Sequence, residues 1–481
     1  MPLLPATPLS CNNAVLGDSG SGSHRWHNPQ RRIAEKAAEH LDSCQFVLHT
    51  GDVVYLTGSS EYYERNFIEP YHFLLKGGDR PEAIDYREMV FQTPFLPVPG
   101  NHDYYDLPFW VGILAQIALP IRFLLRSKID IDIGWHGSYQ GDTYARAFID
   151  YLCQYPVNTK LIDHLKHHYT VQWGDSRCLR YEPGVFTRIP NRYYTFRYGN
   201  IDFFALDSNT FNAPLPMSKD GDRSQRSALR EKRADIEHQK RSLLMEGMFL
   251  NPDDPDQAER LDDLRTKLEY LEEVEQDINR QLAVQDSSPV DQAQLDWLRD
   301  RLIESWQTPE VRGRILFFHH PPYVTEATKW YQAQTLAVRE RLRQVLDGVA
   351  RTVGDRPHDR PIIDLVLNGH AHCFEHLKTG DTQRGDAHIN WLVCGGSGYS
   401  LRRQRNEGLT LTETRDGKDV EIARSLRFLG RTGHGSSKHR PYSCLKIDVK
   451  AGSPPRFIVH PLVSDRFRHE WIDLPVEPFE F

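Results

Sequence analysis

Five short clusters place carboxylate, amide and imidazole side chains at what read as the ends of strands. They are Gly17-Asp-Ser-Gly20, Gly51-Asp-Val-Val-Tyr55, Gly100-Asn-His-Asp103, His319-His-Pro321 and Gly369-His-Ala-His372. Singly each is weak, since a Gly-Asp pair is usually a turn and a lone histidine is usually structural. As an ordered set they have no ready structural explanation. Hard oxygen and nitrogen donors without a thiolate suit Fe, Mn or Zn rather than a soft metal. A carboxylate between two cations holds them about 3.5–4 Å apart, the separation used for in-line displacement at phosphorus. His370 and His372, one residue apart, project differently from a loop and can reach different metals. A phenolate at Tyr55 favours a trivalent ion over a divalent one.

The elements that must carry these corners are short runs rich in β-branched and aromatic residues, read as strands. They are Asn13–Leu16, Gln45–His49, Phe95–Val98, Arg192–Arg197, Ile201–Leu206, Arg314–Phe318, Ile362–Leu367, Ile389–Val393, Ser443–Val449 and Arg456–His460. Helical stretches, such as Pro29–Leu41 and Gln292–Trp306, fall between some of them. Strands mixed with helices indicate a layered α/β domain. Such folds put their chemistry in glycine-bearing loops at strand ends.

Composition excludes several classes. The chain has 481 residues, a net charge of −7, 39% hydrophobic and 11% aromatic residues, so it is not a disordered chain. The mildly acidic balance argues against a whole-protein field that gathers nucleic acid, leaving room for a local basic groove but no strong nucleic-acid signal. Seven cysteines, odd in number and without a CxxC, argue against a disulfide framework and a thiolate zinc site. The N-terminus lacks a basic region followed by an apolar core, so a cytoplasmic setting is expected, with export left open if a precursor is trimmed.

Two segments stand apart. Leu107 to Leu125 is almost uninterruptedly apolar, with Pro120 and Arg122 inside it. It reads as a buried helix or apolar lid ahead of a membrane-resting or lipid-contacting segment, with a true span the remote case. Because it leaves the Asp103 loop directly, it suggests a hydrophobic leaving group. The region 218–285 predicts an antiparallel helical hairpin (Arg223–Leu250 and Asp256–Val284) inserted between catalytic segments 1–217 and 286–481, with 105–190 as an irregular excursion near the cleft. Leu261, Leu264, Leu268 and Leu271 form one apolar stripe. A solvated hairpin packing only on itself is the expectation, ahead of an arm for a protein partner. Residues 395–440 read as a long loop region.

The order GDxG, GDxxY, GNHD, HHP and GHxH resembles the calcineurin-like metallophosphoesterases, specifically their purple acid phosphatase branch, which GDxxY marks. Gly369-His-Ala-His-Cys-Phe-Glu-His376 is similar to the branch's GHxHxYER, and Cys394-Gly-Gly-Ser-Gly398 looks like its glycine-rich loop. The resemblance implies a layered α/β metallophosphatase fold, two mixed sheets flanked by helices, with the hairpin as an insertion. It implies that Asp18, Tyr55 and His372 bind a first metal, typically Fe(III), and that Asp52 bridges. Asn101, His319 and His370 would bind a divalent Fe, Zn or Mn. His102 would contact the phosphate and assist the leaving oxygen, while Asp103 orients His102 or shapes the loop. The implied reaction is hydrolysis of a phosphate ester by in-line attack of metal-bound hydroxide, a phosphomonoester first, with no covalent phospho-enzyme.

Departures from the branch are visible. No histidine follows Pro321 within a few residues, so Lys329 is the cation available there, although it reads first as a surface lysine. His24 and His27 are further candidates. His376 stands where the branch carries arginine. A phosphodiesterase, nuclease or pyrophosphatase would use the same ligands. A scaffold presenting the hairpin is the reading from outside enzymology.

Overall fold

The computed structural model describes Ser10 to Phe481 except residues 21–26, 56–57, 105–140, 151, 153–154, 156–157, 174–175, 217–221, 252, 285–289, 358–359 and 435–436. The apolar segment 107–125 and His24 lie outside the described residues. Among the described residues no helix is long and apolar enough to cross a membrane.

The chain begins with β1 (Cys11–Leu16), α1 (Pro29–Leu41), β2 (Phe46–His49), β3 (Phe95–Pro97) and the single-turn helix α2 (Asn101–Tyr104). Helices α3 (Asp142–Phe148) and α4 (Asn158–His168) precede β4 (Tyr169–Trp173), β5 (Ser176–Leu179), β6 (Tyr194–Tyr198) and β7 (Ile201–Ala205). Two long helices follow, α5 (Asp222–Gly247) and α6 (Pro255–Ala283), then α7 (Gln292–Gln307), β8 (Gly313–Phe318), α8 (Ala333–Val353) and β9 (Leu365–Asn368). Strands complete the chain: β10 (Phe374–Thr379), β11 (Asn390–Cys394), β12 (Thr410–Arg415), β13 (Lys418–Leu429), β14 (His439–Lys450), β15 (Arg456–Phe467), β16 (Glu470–Leu474) and β17 (Phe479–Glu480).

Two mixed sheets result. One runs β16-β15-β14-β1-β2-β3 with β17 on β15, and its β1, β2 and β3 are parallel. The other runs β12-β13-β10-β11-β9-β8-β7-β6, and its β7, β8, β9 and β11 are parallel. Side chains alternating across the pleat explain the layering. In β8, Ile315 and Phe317 enter a core shared with Val15, Phe46 and Leu48 of the first sheet, while Leu316 and Phe318 meet α7 and α8. β9 divides in the same way, Leu365 and Leu367 to one side and Val366 to the other. Strands buried on both faces read as continuous apolar runs, which is why the sequence exposed them. On the first sheet α1 packs Ile33, Ala34 and Ala37. Its start is set by Asn28, which accepts from the Arg31 N–H, with Pro29 following.

Two expectations are corrected. Residues 395–440 are not all loop, because β12 and β13 form a hairpin there. Its turn is Asp416-Gly417, both with positive φ (50° and 73°), as a tight two-residue turn of a twisted ribbon requires. The long hairpin also does not pack only on itself. Helices α5 and α6 share a small core of Ile236, Leu243, Leu264, Leu271 and Ile278. The opposite face of α6 lies on the body of the protein through ion pairs: Arg440 to Glu259 and Asp262 at 2.8 and 2.9 Å, and Arg431 to Asp263 at 2.5 Å.

Candidate metal centre

The loops after β1, β2, β3, β8 and β9 converge where the two sheets meet, and each carries one of the five clusters. Sharp exits from these strands turn the side chains inward. Asp18, Asp52 and His370 all have left-handed backbones, with φ of 52°, 56° and 65°. Such residues are uncommon, and clusters of them mark sites where the surroundings hold strain in place. Gly100 must be glycine, because a Cβ there would lie 2.1 Å from Asp52 Oδ1.

The Tyr55 hydroxyl is 2.7 Å from Asp52 Oδ2, 3.0 Å from Asp18 Oδ1 and 3.2 Å from His372 Nε2. Beside it, His319 Nε2 lies 2.9 Å from Asn101 Oδ1 and 3.3 Å from Asp52 Oδ2. Asp18, Asp52 and His319 offer ligand atoms within 4.8 Å of one another, and so do His319, His320 and His370. Of the nine candidate residues only His102 is partly exposed; the others are buried.

The donor chemistry fits metal cations. His372 Nδ1 faces the Ser400 carbonyl at 3.0 Å and His319 Nδ1 faces the Thr50 carbonyl at 2.9 Å. Each carbonyl requires an N–H, so each neutral ring turns a lone pair on Nε2 toward the cluster. One phenolic proton cannot satisfy two carboxylates and an imidazole together. The electrostatics agree. Burial and the neighbouring Asp52 push Asp18 up to about 8, while His319 opposes them. Burial would depress His319, but Asp52 and Asp18 outweigh it and lift it to about 9. The two carboxylates therefore demand positive charge between them, from a proton or a metal ion. Burial and both aspartates hold the Tyr55 phenol well above its ordinary range, so only a strongly acidic cation would take it as phenolate.

Of the remaining candidates, His102, Asp103 and His320 flank the centre, while His27 and His376 do not. The backbone N–H of His102 donates to Asp52 Oδ1 at 2.8 Å, and its ring lies 4.2 Å from the Tyr55 ring. Asp103 accepts from the backbone N–H groups of Asp52, Val53 and Gly100 at 3.0, 3.1 and 2.9 Å, tying the β2 and β3 loops together. His320 lies against Ser208 and Asn212. His27 packs on His469 and Trp471 rather than at the centre, and His376 bonds Asn390.

Other residues at the centre were missed. Tyr399 stacks on Tyr55 with ring centroids 3.8 Å apart. Its place directly after the glycine-rich loop was the available signal. Lys329 is corrected from a surface residue to a buried one, 1% exposed, with Nζ 3.2 Å from His370 Nε2. Gln334 reaches the same nitrogen at 3.0 Å. Glu273, from α6, pairs with Lys329 at 2.6 Å and Arg402 at 3.3 Å. Its separation from both in sequence hid this.

No family model matches the chain, and no curated protein matches it in sequence. Solved structures similar to it include a purple acid phosphatase from yellow lupin (Lupinus luteus) seeds, 11% identical over 99% of this chain and 54% of that one, TM-score 0.44. This chain thus spans about half the length of the lupin chain. GAP50, the anchor in the inner membrane complex of Plasmodium, is 11% identical over 97% of this chain and 89% of that one, TM-score 0.39. A dimetal phosphatase from Danio rerio is 12% identical over 97% of this chain and 99% of that one, TM-score 0.38. At 11–12% identity these likenesses assign no residue and no activity, which rest on the side chains themselves.

Proposed function

We propose that this protein is a metal-dependent phosphoric ester hydrolase that acts on phosphomonoesters. The observation that carries the reading is the inward convergence of Asp18, Asp52, Tyr55 and His372, with the imidazole tautomer fixed from behind by the Ser400 carbonyl. In this reading Asp18, Asp52, Tyr55 and His372 would hold a first cation, which the phenol would favour as Fe(III), and Asp52 would also serve a second. Asn101, His319 and His370 complete the site for a divalent Fe, Zn or Mn. When bound, the pair supplies Lewis acidity and an activated water at mild pH.

The chain's own residues do the rest. Asp103 fixes the β2 and β3 loops through three backbone amides, so that Asp52 and Asn101 keep their aim. His102, partly exposed on the Tyr55 ring, is placed to donate a proton to the departing alkoxide oxygen through its imidazole. The buried walls exclude bulk water, which strengthens every charge interaction inside.

The test compares 4-nitrophenyl phosphate with bis(4-nitrophenyl) phosphate on the metal-loaded protein. The monoester should turn over faster, and on phosphoserine, whose departing alkoxide oxygen needs a proton, His102→Ala should lower kcat on the order of 100-fold or more. Faster turnover of the diester would move the reading to phosphodiesterase. Two bound metals with turnover of neither would overturn it.

A further inference from the structure

Helix α6 presents two different faces. Leu264, Leu271 and Ile278 meet α5 in a core separate from the two cores of the sheets. The other face carries Thr266, Glu269, Glu273 and Asp277, spaced so that they share one side of the helix. Each touches the rim of the metal centre. The Arg402 guanidinium donates to the Thr266 carbonyl at 2.7 Å, and the Tyr399 hydroxyl donates to Glu269 at 2.6 Å. Asp277 accepts from the Ala333 and Gln334 N–H groups at 3.1 and 3.3 Å, at the start of α8. Because this seat is polar while the apolar stripe stays covered by α5, the hairpin can lift as a unit without baring a hydrophobic face.

Lys329 is the anomaly at this seat. A lysine is almost never fully buried unless paired, and this one stands 3.2 Å from a ring nitrogen of the candidate ligand His370. An ammonium beside two metal cations is strongly repelled unless an anion lies among them. Here that anion is Glu273, 2.6 Å from Lys329 and 3.3 Å from Arg402.

We infer that Lys329 is a phosphoryl-binding residue of the substrate site and that Glu273 is an internal anion occupying the phosphate's place, displaced when α6 lifts to admit a substrate. This rests on the metallohydrolase reading above. It names the group that receives the phosphoryl oxygens, with Arg402 as the second cation that Glu273 releases. The hairpin is then a competitive internal ligand, and apparent phosphate affinity is the intrinsic affinity multiplied by the fraction of open molecules.

The experiment measures orthophosphate binding to the metal-loaded full chain by calorimetry, with metal content determined on the same samples. Glu273→Gln keeps the shape of the side chain and removes its charge, so it should bind orthophosphate on the order of tenfold more tightly than the unaltered protein. Lys329→Met should bind it more weakly, and adding Glu273→Gln to Lys329→Met should bring a smaller gain than in the unaltered background, the part that Arg402 supplies. Orthophosphate should also speed hydrogen exchange along 259–277 in the unaltered protein. Should Glu273→Gln fold poorly, Tyr399→Phe cuts the bond to Glu269 without touching Lys329 and should tighten binding in the same direction. Two metals per chain with unchanged or weaker binding in the variant that folds would overturn this inference and leave the hydrolase reading standing. Absence of bound metal from the unaltered protein would overturn both.

Discussion

The rings of Tyr55 and Tyr399 stack with centroids 3.8 Å apart and planes 12° from parallel. One follows β2 in the first sheet and the other follows β11 in the second, so this contact joins the two halves of the candidate metal centre. Tyr399→Ala should cost about 3–5 kcal/mol, the range for truncating a buried aromatic. Tyr399→Phe keeps the stack and loses only the bond to Glu269, so it should cost about 1.5–3 kcal/mol. Urea denaturation of both variants checks the order. Equal losses would mean that the stack contributes nothing.

Asp103 bears on the centre through the backbone. With three amide N–H groups on one carboxylate, Asp103→Ala should lower metal affinity on the order of 10–100-fold, the usual effect of removing an outer support. Because it holds loops rather than moving protons, the pH at which turnover is half-maximal should not move. Metal titration and a pH profile measured at saturating metal separate the two roles. A displaced profile with intact metal affinity would make Asp103 a proton-transfer group.

Glu375 gives a pH dependence of stability. Its carboxyl is buried and accepts from the Thr325 N–H at 2.9 Å, and burial, only partly offset by its hydrogen bonds, lifts it from 4.5 to about 7. A raised carboxyl favours the folded state while protonated. Its contribution is therefore complete below about 4.5 and is lost as pH rises through about 7. The loss is on the order of 3 kcal/mol. Glu375→Gln should flatten the stability curve between those values in chemical denaturation. An unchanged slope would contradict the burial argument.

Arg440 clamps the turn end of the hairpin through Glu259 and Asp262, near the start of α6. Arg440→Met should weaken the seat of α6 by about 2 kcal/mol. Hydrogen exchange at 255–265 should quicken, while the hairpin's own core at Leu271 and Ile278 stays protected. Loss of protection along the whole of α5 and α6 would show that the hairpin has no independent core.

Much of this was open to reading from the sequence, for identifiable reasons. Helix α1 spans Pro29–Leu41 as its cap and periodicity indicate, and the doubly buried strands β7, β8 and β9 announce themselves as apolar runs. Helix α8 was not read because Arg339, Arg341 and Arg343 interrupt its apolar pattern; the fold buries them, and Arg343 pairs with Asp386 and Glu413. The Asp416-Gly417 turn was a local signal overlooked inside a charged stretch. The clusters at Asp18, Asp52, Asn101, His319 and His370 declare their chemistry because each sits at a strand end. The pairing of Glu273 with Lys329 has no local pattern. It exists only once α6 is laid across the cleft.

The most direct test of the central claim is metal content measured together with the visible absorption spectrum of the purified protein. About two metals per chain including iron, with a broad tyrosinate-to-Fe(III) band that disappears in Tyr55→Phe, is the expected result. Failure to hold any metal after reconstitution would contradict it.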